Sequence, residues 1–192
     1  LFSEGDPVEQ ALEGQPVEVI LPATGFYIES GGQVGDTGTI TAKDGSWQIT
    51  VDMVRRPAAG VLLHIGTVSK GTVKSDDEAV AAVDWTRRMD TMRNHTATHL
   101  LHAQLHKHLG EHARQAGSLV APDRLRFDFT HPEAIPADVL DAIEYDVNQD
   151  ILANHQLSII EKSLKQAMDE GAMALFGEKY GEKVRTVTVD PE

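Results

Sequence analysis

Asp90 to Gly110 reads DTMRNHTATHLLHAQLHKHLG, and the parsing of the whole chain follows from its periodicity. At about 3.6 residues per turn, His95, His99, His102 and His106 fall at i, i+4, i+7 and i+11, within an arc of about 60° on one helix. Leu101, Leu105 and Leu109 form a neighbouring stripe, the face expected against a core. Asp90 suits the N-cap and Gly110 the C′ position, so the spacing predicts a helix between them. One side of it presents imidazoles and the other is buried.

His95 and His99 form H-x-x-x-H, in which two rings four residues apart can converge on one zinc ion at about 2.0–2.1 Å per bond. Two ligands do not make a site. Zinc takes three or four, the sequence has no cysteine, and the remaining donors would have to be His, Asp or Glu from elsewhere. The motif also lacks the glutamate of H-E-x-x-H, so spacing alone leaves a second reading open, polar residues at the edge of a cleft.

The chain has 192 residues, 41% apolar and 24% charged, the composition of an ordinary globular protein with room for one large or two small domains. No apolar run reaches the roughly 20 residues needed to span a bilayer, and the first ten residues have neither the basic nor the apolar region of a secretory signal. A cytoplasmic setting is expected. A net charge of −13 argues against unaided grip on phosphate, which requires clustered Lys and Arg. Any nucleic acid that visits must be held mainly by something else. A start at Leu1 rather than Met suggests a piece excised from a longer protein.

Working outward, residues 1–84 read as β-rich, with short runs at Val17–Leu21, Thr37–Ala42, Trp47–Val54, Val61–Val68 and Glu78–Val83. Lys43-Asp44-Gly45-Ser46 and Arg56-Pro57-Ala58-Ala59-Gly60 read as turns, and strands so spaced favour a small barrel. Asp84-Trp85-Thr86-Arg87-Arg88 reads as the passage to a second domain over 85–192. There, Gln115–Val120 and Leu125–Thr130 are expected strands, and Pro136 is expected at N1 of a helix reaching about Asn154, its stripe Val139, Leu140, Ile143, Val147, Ile151 and Leu152. Gln156–Glu161 reads as a strand, Ser163–Met168 as a short helix interrupted by Gly171, and Lys183–Val189 as a final strand. Strands and helices mixed in this way make the fold class α+β, a small N-terminal barrel followed by a two-layer sandwich.

Gly31, Gly32, Gly35 and Gly38 match neither G-x-x-x-x-G-K-S/T nor G-x-G-x-x-G, so the stretch reads as a tight turn and not a phosphate cradle. With its neighbours it carries more. Phe26-Tyr27-Ile28-Glu29-Ser30-Gly31-Gly32-Gln33-Val34-Gly35-Asp36-Thr37-Gly38 and Met92-Arg93-Asn94-His95-Thr96-Ala97-Thr98-His99-Leu100-Leu101-His102 together resemble the editing region of bacterial alanyl-tRNA synthetases. Gly117-Ser118-Leu119-Val120 and Leu125-Arg126-Phe127-Asp128-Phe129 fit the same family, and the four motifs stand in order over almost the whole chain.

The resemblance implies a barrel domain, 1–84, and an editing domain, 85–192, of the type shared with threonyl-tRNA synthetase. It implies hydrolysis of the ester of Ser-tRNA(Ala) or Gly-tRNA(Ala), a zinc on His95 and His99, and the 3′ end of tRNA(Ala) as partner. In that family a later Cys-Gly-Gly-Thr-His segment supplies the other two ligands. This sequence has none, so the expectation is a truncated domain with half the metal set, itself impaired in activity. ATP belongs to the parent's aminoacylation domain. Thr24 and Gln33 are implied near the substrate, reading the serine hydroxyl or placing the ester. A pocket that selects alanine cannot strongly exclude glycine or serine, which is why a second pocket is needed.

Two other readings stand beside this one, a tRNA-docking or scaffold module without catalysis and an unrelated hydrolase whose metal would take a carboxylate as third ligand. His102 and His106 are expected at the cleft or, for His106, in solvent. Arg126 and Asp128 are expected in a structural pairing with a neighbouring strand, and His64, His108, His112, His131 and His155 carry no assignment.

Overall fold

Ile40 and Ala42, Ile49 and Val51, and His64, Gly66 and Val68 are buried at every second position of three neighbouring strands, the period that turns one face of each strand inward. The computed structural model describes residues 1–172 and 180–190. It divides into two compact units, Leu1–Met92 with Ala121–Asp123, and Arg93–Val120 with Arg124–Glu192.

The first unit contains β1 (Phe2–Ser3), β2 (Asp6–Pro7), β3 (Gln10–Leu12), β4 (Pro16–Ile20), β5 (Gly38–Ala42), β6 (Gln48–Ala58), β7 (Val61–Lys70), β8 (Thr72–Lys74) and β9 (Ala79–Val83). Seven strands form one antiparallel sheet in the order β2-β1-β4-β7-β6-β5-β9, and β3 pairs with β8 separately. Among the described residues no ladder joins β2 to β9. The sheet and the β3–β8 pair share one core built on Val17, Phe26, Ile40, Trp47, Ile49, Val51, Val54, Val68 and Val73.

The expected five-residue turn at 56–60 shrinks to Ala59-Gly60, because β6 runs on through Pro57. Proline is tolerated there because the β6–β7 register shifts between Arg55 and Ala58, which spares it a ladder hydrogen bond.

Helix α1 (Trp85–Leu109) continues into the second unit, which adds β10 (Gln115–Val120), β11 (Leu125–Phe129), α2 (Ala137–Ala153), β12 (Gln156–Ser163), α3 (Leu164–Asp169) and β13 (Lys183–Asp190). Its core is Leu105, Ala113 and Ile143, with Leu101, Leu109, Phe127, Phe129, Val139 and Val147 packed around them. The leucine stripe of α1 therefore faces the core as the spacing predicts. The expected stripe of α2 is only half used, because Ile143, Val139 and Val147 pack inward while Leu140, Ile151 and Leu152 are exposed. Pro136 is the N-cap and not N1, and Asn154 ends α2 in the left-handed conformation. Chain-level mixing of strands and helices makes the fold α+β.

Candidate active site

Asp84, not Asp90, begins α1. Its Oδ1 accepts the Arg87 amide at 3.0 Å, satisfying one of the first-turn donors that a helix cannot pair internally. The residues expected to be a linker are thus the first turn of the helix. At the other end Gly110 takes φ +102 and its amide returns to the His106 carbonyl at 2.9 Å, as a C′ glycine does.

The early start places Arg88 where it can grip the glycine-rich loop. Its Nε donates to Asp36 Oδ1 at 2.9 Å, its Nη2 donates to Asp36 Oδ2, and the same Nη2 reaches the Gly25 carbonyl at 2.9 Å. Asp36, 5% exposed, also accepts the Tyr27 amide at 2.6 Å. A buried carboxylate is tolerated because a guanidinium and an amide replace its water. The Asp36 hydrogen bonds hold the Arg88 pKa above its ordinary value.

Within the loop, Gly31 and Gly32 both take positive φ and Ser30 and Gln33 exchange two backbone hydrogen bonds of 3.2 and 3.0 Å, the pattern of a tight two-residue turn. Gln33 is 7% exposed at the base of that turn. Thr24 is half-buried, and its hydroxyl meets His64 Nε2 at 2.8 Å and the Phe26 amide at 3.2 Å.

In the second unit His95 and His99 are both half-buried, their rings near-parallel at 18° with centroids 5.0 Å apart. Two imidazoles sharing one tetrahedral ion at about 2.0–2.1 Å place their ring centres about 5 Å apart, and the His95–His99 separation equals that spacing. Burial, and then the neighbouring His95, push His99 below its ordinary pKa, which keeps its lone pair free. Among the described residues no three His, Cys, Asp or Glu are grouped to close around an ion. An arrangement completed by a local carboxylate is not found among the described residues.

His102 and His106 continue the stripe with ring centres 4.4 Å apart, and His102 also lies 4.9 Å from Phe127. His106 is half-buried and not in solvent, and the Nε2 atoms of both rings are buried without a hydrogen-bond partner. Burial, then the charges of His106 and His99, lower the His102 pKa to about 4. His108 bonds Asp146 at 2.9 Å beside Lys107, and Gln104 donates to Asp150 at 2.7 Å, fastening α1 to α2. Arg126 and Asp128 pair with each other across one strand face at 3.1 Å instead of with a neighbouring strand.

Sequence reading missed the Arg88–Asp36 grip and the His64–Thr24 bond. Asp36 stands in the glycine-rich stretch Phe26–Gly38, but no local feature of the sequence points from it to Arg88. His64 showed only an inward place on an alternating strand.

Comparison with known proteins supplies the class. The family described as tRNA synthetases class II (A) matches residues 1–87, most of the first unit. Over 96% of its length the chain is 52% identical to the alanine–tRNA ligase of Roseiflexus sp. (strain RS-1), of which it spans 20%. It is 47% identical to that of Chloroflexus aurantiacus (strain ATCC 29366 / DSM 635 / J-10-fl) over 99% of its length, spanning 21% of that protein. With the enzyme of Stenotrophomonas maltophilia (strain K279a) the identity is 49% over 97% of the chain and 21% of the relative. The chain belongs to the alanine–tRNA ligase family, and it spans about a fifth of the length of the curated relatives it matches. No described helix is long and apolar enough to cross a membrane.

Proposed function

We propose that this chain is the part of an alanine–tRNA ligase that hydrolyses the aminoacyl ester of Ser-tRNA(Ala) and Gly-tRNA(Ala). The observation that carries the reading is the 5.0 Å spacing of the His95 and His99 ring centres on α1, a separation suited to one shared ion. In this reading His95 and His99 hold two corners of a zinc site whose other donors come from elsewhere in the full protein. His95 and His99 would hold the ion, and a zinc held there would offer Lewis acidity toward the ester carbonyl or toward a water.

The remaining chemistry belongs to the chain's own groups. Thr24 and Gln33 orient the aminoacyl group, and the Arg88–Asp36 grip holds the loop that carries them. The partner is the 3′ end of tRNA(Ala), and with a net charge of −13 most of its grip comes from the rest of the ligase. Barrel and editing domains, 1–84 and 85–192, are the proposed architecture, with cytoplasm as the compartment. ATP serves only the parent's aminoacylation step.

The test compares an alanine–tRNA ligase carrying this segment with its His95→Ala and His99→Ala variants on Ser-tRNA(Ala), in the presence of zinc. Loss of serine release in both variants with aminoacylation retained is the expected result. Unchanged serine release in either would overturn the assignment of the pair, and no release by the parent would overturn editing itself. The chain alone is expected to bind zinc weakly in equilibrium dialysis, since two imidazoles leave half the coordination shell to water.

A further inference from the structure

His64 is among the most buried side chains of the molecule, 1% exposed, and both of its ring nitrogens are engaged. Nδ1 lies 3.1 Å from the Val19 carbonyl, which can only accept, so Nδ1 carries the ring proton. In the neutral ring Nε2 is then an acceptor, and the Thr24 hydroxyl 2.8 Å away must donate to it. Burial keeps the imidazole below its ordinary pKa, consistent with a neutral ring, and Phe26 packs edge-on against it at 5.2 Å.

A hydroxyl has one proton and two lone pairs. At Thr24 the proton goes to His64, and one lone pair takes the Phe26 amide at 3.2 Å. What is left is a single lone pair on a half-buried oxygen. Thr24 can accept one more hydrogen bond and can donate none.

We infer that His64 is a positioning residue which, by holding the Thr24 proton, turns Thr24 into an acceptor-only reader of a hydroxyl donor on the bound amino acid. The inference rests on the proposed placement of Thr24 at the ester. Serine offers such a donor in its side chain, whereas glycine and alanine offer none. The α-ammonium is common to all three and cannot separate them. Thr24 held in this way favours the serine ester, and loosening it costs serine release more than glycine release. A defect in folding alone lowers both together.

The experiment uses an alanine–tRNA ligase carrying this segment, with Thr24→Val, His64→Leu, His64→Gln and the Thr24→Val/His64→Leu double variant, each assayed on Ser-tRNA(Ala) and Gly-tRNA(Ala). Thr24→Val and His64→Leu are each expected to lower kcat/KM for the serine ester about tenfold and to change the glycine ester much less. The double variant should be no worse than Thr24→Val alone, and His64→Gln, whose amide oxygen can take the Thr24 proton, should recover most of the serine rate. Wild-type rates for Thr24→Val would overturn the placement of Thr24 at the substrate, and this inference with it, while leaving the hydrolysis of the ester standing. A serine-specific loss in Thr24→Val beside unchanged or equally lowered rates in His64→Leu would overturn the role of His64 alone. Independently of activity, nitrogen-15 spectra of this chain at neutral pH should show His64 uncharged and protonated on Nδ1. An Nε2-protonated ring would overturn the inference even if His64→Leu failed to fold.

Discussion

His102 is the residue through which acid should first weaken the fold. Its pKa falls from an ordinary 6.5 to about 4 in the folded chain, because the ring is buried and stands beside His106 and His99. Between those values the unfolded chain binds a proton that the folded chain refuses. Stability is therefore complete above about pH 6.5 and is lost progressively as pH falls toward about 4. At about 1.4 kcal/mol per pH unit, the loss from this one site is about 3 kcal/mol at most. Urea midpoints measured along a pH series should show the decline, and His102→Leu should flatten part of it. His64 and His99, also lowered by burial, retain the rest. Asp44, Asp146 and Glu170 have depressed carboxyl pKa values and act only at lower pH, so the two windows separate. An equally steep decline in His102→Leu would show that this ring is not the sensor. At this scale the sequence was partly legible. His95 and His99 were readable as a pair because four residues on a helix fix their neighbourhood. Arg88 and Asp36 are separated by 52 positions and meet only after the sheet has formed, so no local signal joined them.

Elements were legible wherever one period ruled and were misread at their ends. Asp84 and Asp90 both satisfy the side-chain chemistry of an N-cap, and the residues between them, Trp85 to Met89, show no apolar stripe to decide between the two. The Asp84 bond to the Arg87 amide decides it. Similarly, Pro57 reads as a breaker unless the bulge that tolerates it is known. The β6–β7 pairing makes a sharper statement about Gly66, whose neighbour across the ladder is Val51. A Cβ at Gly66 would collide with the Thr50 carbonyl oxygen, which belongs to a paired strand and has no room to retreat. Gly66→Ala should therefore cost about 3 kcal/mol, the upper part of the range for overpacking. Gly60, at φ +77 with open space around it, is the comparison, and Gly60→Ala should cost about 1 kcal/mol through backbone strain alone. Urea denaturation of the two variants checks the pair, and equal losses would mean that β6 and β7 do not approach in this register.

On the scale of the whole molecule, periodicity showed which faces are apolar but not what covers them. Leu140, Ile151 and Leu152 of α2 read as core yet are exposed, and β12 with β13 repeats the pattern. Leu157 lies opposite Val189 and Ile159 opposite Val187, so the four occupy one face of a two-stranded ladder, and Leu157, Ile159 and Val187 are each more than half exposed. Two strands alone are marginal in water, and an exposed apolar face of this kind promotes association. Sedimentation velocity over a concentration series should show this chain associating. The double variant Ile159→Thr/Val187→Thr should weaken association, because threonine keeps the β-branch that suits a strand while removing apolar surface. Since neither side chain is packed, its urea midpoint should shift by no more than about 0.5 kcal/mol in stability. Undiminished association in a folded double variant would assign the contact to another surface, for which the exposed face of α2 is the next to substitute.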